Sequence, residues 1–233
     1  MNMKTQWSFA SMPQRLAARR VVGCAVLAAA AALTACSALP QPPARQVLYD
    51  FGVPLQAAPK PAGAAVANSK APLVLAPVKA VGVPDGSAAI VYRLAYADGR
   101  ELRPYTQARW TVPVVQLVQQ SLRAELSRHR AVMLDADGAM QALEQGASPA
   151  MLRIEVEEFS HVFTSATASV GLLRIRATLT EITEKGELWR AQQVFSVQTP
   201  AASADAAGGT AAMAASSDEA GRQLDAWLRQ QGR

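Results

Sequence analysis

Few residues in this 233-residue chain combine types and spacings that could do chemistry. Cys36 ends the stretch "ALTAC" behind an uncharged run from Val21 to Leu33. A thiol there could be a disulfide partner, a metal ligand, a nucleophile or an attachment point for lipid. The only other cysteine, Cys24, lies inside the apolar run. The two histidines are His129, in the basic stretch "SRHR", and His161, in a strand-like arm. Neither is accompanied in sequence by a nucleophile and a carboxylate. Glu157 and Glu158 could flank one scissile bond only across a bulge, because neighbours on a strand point to opposite faces. The sequence has no G-x-S-x-G, no phosphate loop, no dinucleotide-binding glycine pattern and no metal-ligand spacing. The chain therefore reads as a non-enzyme with no metal or diffusible cofactor.

The flanks of Cys36 choose among its roles. Arg15, Arg19 and Arg20 precede the apolar run and small residues close it, which is the layout of a secretory signal peptide. The run is shorter than the roughly 20 apolar residues that cross a bilayer. Leu33-Thr34-Ala35-Cys36 resembles a bacterial lipobox. That resemblance implies that Leu33, Thr34 and Ala35 fit the lipoprotein signal peptidase. Cys36, carrying diacylglycerol and an N-acyl chain, would then begin the mature protein; the alternative is an ordinary cleaved signal with an incidental cysteine. Ser37 in place of an aspartate implies, by the enterobacterial sorting rule, the outer membrane with the domain facing the periplasm. Several acyl chains make a durable anchor, at about 0.8 kcal/mol per buried methylene.

Charge also changes on processing. Lys4, Arg15, Arg19 and Arg20 are four of the 23 basic residues, so 19 remain against 18 acidic ones. A net charge near zero, without a basic cluster interleaved with aromatics, argues against nucleic acid as a partner. With Cys24 discarded and Cys36 acylated, no disulfide can form.

The elements that must position the rest follow from pattern. Residues 1–35 are the signal peptide, 36–46 a lipidated proline-rich tether, and 47–233 a single domain in which 54–71, rich in Ala, Pro and Gly, forms a flexible loop. "VLYDF" (47–51) is a short strand, and "LVLAPVKAV" a buried strand limited by Pro77. "AAIVYRLAYADGRELRPYTQARW" reads as two strands about a tight Asp98-Gly99 turn with positive φ. Val114, Val118, Leu122 and Leu126 recur every four residues, predicting a helix capped by Thr111, with Pro113 in its first turn. "AVMLDADG" follows as a strand of a β-α-β unit.

From Met151 to Ile182, apolar residues alternate with charged or polar ones in two runs. Pairing them antiparallel with Glu155 opposite Arg176, Val156 opposite Ile175 and Glu157 opposite Arg174 puts charges on one face and apolar groups on the other. A slip of one residue would invert every side chain, so the pattern selects this register. "LWRAQQVFSVQ" adds another strand. The Ala/Ser/Gly-rich stretch from Ala201 to Ser217 reads as a tail, followed by a helix with Ala220, Leu224, Trp227 and Leu228 on one stripe. The fold class is α/β: a mixed, largely antiparallel sheet, the β-α-β unit, a long hairpin and a C-terminal helix packed on the sheet.

In this order the pieces resemble the ABC-type transport auxiliary lipoproteins, the group containing the paraquat-inducible C lipoprotein of MCE-type lipid transport systems. The likeness rests on the lipobox, the early "YDF", "LVLAPVKAV", "YTQARWTVPVVQLVQQSLRAEL", "LRIEVEEF" and the terminal "AWL". Its most specific part is Arg109-Trp110 with Pro113 ahead of an amphipathic helix. The chain departs from the usual family form at Thr111-Val112, where an acidic and a small residue stand before the proline. The resemblance implies a non-catalytic docking or scaffolding subunit for a periplasmic MCE-domain protein, working with an inner-membrane permease and ATPase. Tyr105, Arg109, Trp110 and Phe163 are the candidate partner contacts. Packing of Trp110 between helix and sheet, ion pairing of Arg109, and a hairpin tip folded on its own domain are the alternatives, and a homo-oligomer stays open. Two rival functions are a regulator of a peptidoglycan synthase and an envelope hydrolase. The first usually needs more than the roughly ten tether residues here, which reach about 35 Å; the second lacks a nucleophile set.

Overall fold

The computed structural model describes residues 45–52, 72–84, 86–134, 149–183 and 185–233. The signal peptide, the lipobox, most of the tether and the 54–71 loop lie outside them. In chain order the elements are β1 (Val47–Tyr49), β2 (Leu73–Leu75), β3 (Lys79–Ala80), β4 (Ala89–Leu94), α1 (Ala95–Asp98), β5 (Gly99–Trp110), α2 (Val114–Leu126), β6 (Val132–Met133), β7 (Ala150–Phe163), β8 (Ser169–Thr183), β9 (Gly186–Pro200) and α3 (Ala206–Gln230). All the strands belong to one mixed sheet.

Its frame is the antiparallel meander β7–β8–β9. The opposite edge of β7 receives three short parallel strands in succession: β2 beside residues 150–152, β3 beside 155–156 and β4 beside 161–163. Pro77 separates β2 from β3, since proline supplies no N–H to a ladder. Beyond β4 the sheet continues through antiparallel β5 to parallel β1 at the edge. Beyond β2 it ends in β6, which follows α2 and runs parallel to β2, as the β-α-β reading requires.

The hairpin register is the expected one as far as Glu155 opposite Arg176 and Val156 opposite Ile175, after which a bulge at Glu157 shifts the pairing so that Glu158 faces Arg174. The extra residue keeps the core face apolar on both sides of the shift. Leu152, Ile154 and Val156 are buried before it; Phe159 and His161 are buried after it. On β8, Leu173, Ile175, Ala177 and Leu179 complete that face, with Phe195 and Val197 from β9. Helices α2 and α3 cover it, and α3 packs on β7, β8, β9 and α2.

Three local expectations change. The Asp98-Gly99 turn is the single helical turn α1, and Gly99 has φ −69°, so no positive φ is used. The Asp98 carboxylate instead accepts the Arg100 N–H at 2.9 Å. Thr111 does not cap α2: its N–H donates to Tyr49 O, tying β1 down, and Pro113 occupies the cap position. The Ala/Ser/Gly tail is the first half of α3, begun by Asp205, whose carboxylate accepts the Gly208 N–H at 2.8 Å. Its small residues mark close packing: a Cβ on Gly171 of β8 would lie 2.3 Å from Met213 N, so helix and strand backbones touch.

Candidate docking surfaces

Cys36, Leu33, Thr34 and Ala35 lie outside the described residues. The four candidate contacts separate into a core residue, an edge residue and a pair. Trp110 is 1% exposed, with Phe51 edge-on at 5.5 Å and Phe159 at 5.8 Å between centroids. It therefore fastens β1 and β5 over β7 and offers no surface to a partner. Its Nε1 has no acceptor among the described residues. Arg109 points the other way: it is exposed and sits opposite Leu48 of β1.

Tyr105 and Phe163, distant in sequence, come together. Tyr105 of β5 is hydrogen-bonded through Oη to His161 Nδ1 of β7 at 2.8 Å. Its ring lies 4.8 Å from Tyr92 of β4, and Phe163 lies 4.4 Å from His161 and 5.8 Å from Tyr92. The parallel pairing of β4 with the end of β7 makes this cluster possible. Sequence reasoning missed Tyr92 and His161 as members, because their association depends on the bulge and on a strand pairing across about 70 residues of chain. The period of two, restarted after Glu157, places His161 on the core face.

Burial governs the cluster's electrostatics. It pushes the Tyr105 phenol up, helped by Tyr92 and by the Asp205 carboxylate. Burial also lowers the His161 imidazole, while Asp205 works in the opposite direction. Burial thus favours the neutral form of the His161 imidazole, which lies against Gly209 of α3, and its Nε2 finds no partner among the described residues.

The bulge falls at the Glu157-Glu158 pair, yet the two carboxylates are not left to act together. Glu157 binds Arg174 at 2.8 Å and Arg176 at 2.6 Å; burial raises its carboxyl, but those guanidinium bonds win and hold it low. Glu158 takes Arg93 in a two-point bond, 2.9 Å on each oxygen, and also accepts the Ser160 hydroxyl at 2.6 Å. Both are engaged in holding strands together across the helix-free face. Among the described residues no group of three or more His, Cys, Asp and Glu side chains is placed to hold a metal ion. No helix of the described residues is long and apolar enough to cross a membrane.

A profile of the family described as "ABC-type transport auxiliary lipoprotein component" matches residues 54–224. Among solved structures, protein XCC0632 from Xanthomonas campestris is similar with a TM-score of 0.56 at 19% identity, over 83% of this chain and 91% of that one. A second structure, titled only as an uncharacterized protein, gives 0.52 at 13% identity, over 79% and 99%. The hypothetical protein CT253 from Chlamydia trachomatis gives 0.45 at 11% identity, over 70% and 96%. For the first two, at these identities, the likeness is one of fold alone. No curated protein matches the chain.

Proposed function

Because this chain belongs to the ABC-type transport auxiliary lipoproteins, we propose that it is a non-catalytic docking subunit for the periplasmic MCE-domain component of a lipid transport system. Acyl chains on Cys36 hold it at the periplasmic face of the outer membrane, and an inner-membrane permease and ATPase supply the energy. The observation that carries this reading is the family match, which runs from residue 54 to residue 224 and so takes in β2 to β9 and most of α3. The side chains support it. The glutamates most suggestive of acid-base chemistry are committed to arginines, and the buried histidine sits among aromatic rings, hydrogen-bonded to the Tyr105 hydroxyl.

Affinity purification from detergent-solubilised envelope, with the wild type and a Cys36→Ala variant, tests the proposal. The wild type is expected to bring down the MCE protein and its permease, and the variant to leave the membrane fraction. Recovery of a cell-wall synthase in their place overturns the reading. Mass spectrometry of the mature N-terminus checks the anchor, since an unmodified Cys36 thiol overturns that part.

A further inference from the structure

The edge strand β1 borders a feature that the docking reading leaves unused. Val47 and Leu48 are 50% and 62% exposed on the outermost strand of the sheet. Tyr49 O accepts the Thr111 N–H, so Tyr49 turns its backbone polar groups toward β5. Leu48, the neighbouring residue, turns its own outward, as alternation along a strand requires. Beside this edge lie two recesses of about 480 and 520 Å³ that share Asp50, Phe51, Gly52 and Asp218. The first is walled by Leu48, Tyr49 and an alanine stripe of α3 in which Ala207 and Ala211 are exposed and Ala214 and Ala215 half-buried. The second runs between α2 and α3 and is closed by the Glu125–Arg128 ion pair, 3.0 Å.

Charge tells what fits. Asp50 spends one oxygen on the Gly52 N–H at 2.8 Å, and Asp218 spends one on the Ser121 hydroxyl at 3.0 Å. Neither carboxylate has a cationic partner among the described residues. Glu125 and Arg128 cancel, so the shared wall of the two recesses carries two uncompensated negative charges beside an apolar floor.

We infer that this edge and groove receive an extended segment of the periplasmic transport partner, in which apolar side chains alternate around a lysine or arginine. The segment adds to β1 through the outward backbone groups of Leu48, its apolar side chains lie against Leu48 and the alanine stripe, and its cation meets Asp50 and Asp218. Because β1 has only three residues, it provides very few ladder hydrogen bonds, and the recess and the two carboxylates must supply the selectivity. A lipid chain would use neither the backbone edge nor the paired acids. The inference rests on the docking function proposed above and locates it away from the aromatic cluster.

The test is site-specific photocrosslinking in intact envelope, with the full-length lipidated protein carrying a benzophenone amino acid at position 48 or, separately, at position 163. The expected product at position 48 joins the transport component, and fragment mass spectrometry places the link in an extended segment containing a lysine or arginine. The double variant Asp50→Lys with Asp218→Lys lowers that yield about tenfold or more, the worth of one charge-assisted contact. Reversing the identified cation of the partner to aspartate restores it. Glu219→Lys, on the same helix but paired with Arg222 at 2.8 Å, leaves it unchanged. A position-48 link to a second copy of this chain, to lipid, or to a segment without a cation overturns the inference. So does capture of the transport component at position 163 with none at 48, which leaves the docking function standing. Capture at neither position, together with failure to copurify, sinks both.

Discussion

The two halves of α3 hold to the rest of the molecule in opposite ways. From Leu224 onward the helix uses large groups: Trp227 meets Phe195 edge-on at 5.9 Å, Leu224 and Leu228 are fully buried, and Asp225 binds the buried Arg130 at 2.6 Å. From Ala206 to Ser217 Met213 is the one large side chain it buries. Glycine, alanine and serine let its backbone rest on Gly171 and let the His161 ring sit under Gly209, where a Cβ would come within 2.3 Å of Nδ1. Ser216 adds a polar stitch, donating to Gly171 O at 2.8 Å. One half gains from buried area and a charge pair, the other from proximity. The second kind of contact tolerates no added atom.

The largest effect belongs to the knobbed half. Asp225→Ala leaves the Arg130 guanidinium 1% exposed with no anion, and its Nε and Nη1 already lack acceptors among the described residues. Breaking a buried pair from one side costs about 3 to 5 kcal/mol. A urea titration should show the midpoint fall accordingly, and Trp227→Ala should lose a similar amount through its cavity. Replacing Arg130 and Asp225 together by Met and Leu should recover most of the loss. If the double variant is as unstable as the single one, the pair is not what fastens this half.

The close-packed half breaks by addition. Gly171→Ala places a methyl group 2.3 Å from Met213 N and 2.4 Å from Ala212 C, against backbone that has no rotamer to yield. We expect a loss of about 3 kcal/mol, at the upper end of overpacking. The sharper readout is hydrogen exchange. Amides of residues 208–217 should lose protection in this variant while those of 224–230 keep theirs. Uniform loss along the helix would mean that α3 opens as one unit and that the two modes of attachment have no separate energetic meaning. Ser216→Ala, which removes the stitch without adding an atom, should cost about 1 kcal/mol.

The same contrast explains what could be read in the sequence. The hairpin was legible because alternation along Met151 to Ile182 names a face, and the Glu155–Arg176 opposition holds in the structure. The stripe Ala220, Leu224, Trp227, Leu228 was legible because large apolar residues at helical spacing announce burial. The stretch from Ala201 to Ser217 has a lone large apolar residue, Met213, and no stripe at helical spacing, and its helix packs on a partner, Gly171, that lies about 30 residues or more upstream. The bulge at Glu157 was equally silent: nothing in "VEEFSHVF" marks the extra residue until Phe159 and His161 are seen on the core face. That silence is why Tyr105 and Phe163 were named as separate contacts rather than as one cluster around His161. At the sheet edge "VLYDF" was readable as a strand, of which Val47–Tyr49 forms β1, but Asp50 and Asp218, whose carboxylates have no cationic partner among the described residues, are brought to one groove only by the packing of α3 near β1.

The smallest effect concerns how His161 ties the close-packed half to solution pH. The imidazole is lowered by burial beneath Gly209, and the groups facing it are the Tyr105 hydroxyl from β5, the Phe163 ring from β7 and the Asp205 carboxylate ahead of α3, which partly opposes the shift. A group whose folded pKa lies below its unfolded value binds protons preferentially in the unfolded state. Stability therefore falls as pH drops through the ordinary imidazole range near 6.5 and levels off once the folded protein also takes up the proton. The carboxyls held low by their partners, among them Glu157, Glu181 and Asp205, act in the same direction but only below about pH 5, where unfolded carboxylates begin to protonate. Urea midpoints measured between pH 7.5 and 5.5 should therefore decline in the wild type and stay level in His161→Gln. A wild type with no slope in that window would place a protonated or solvated imidazole under Gly209, and the close contact between ring and helix would have to open to accommodate it.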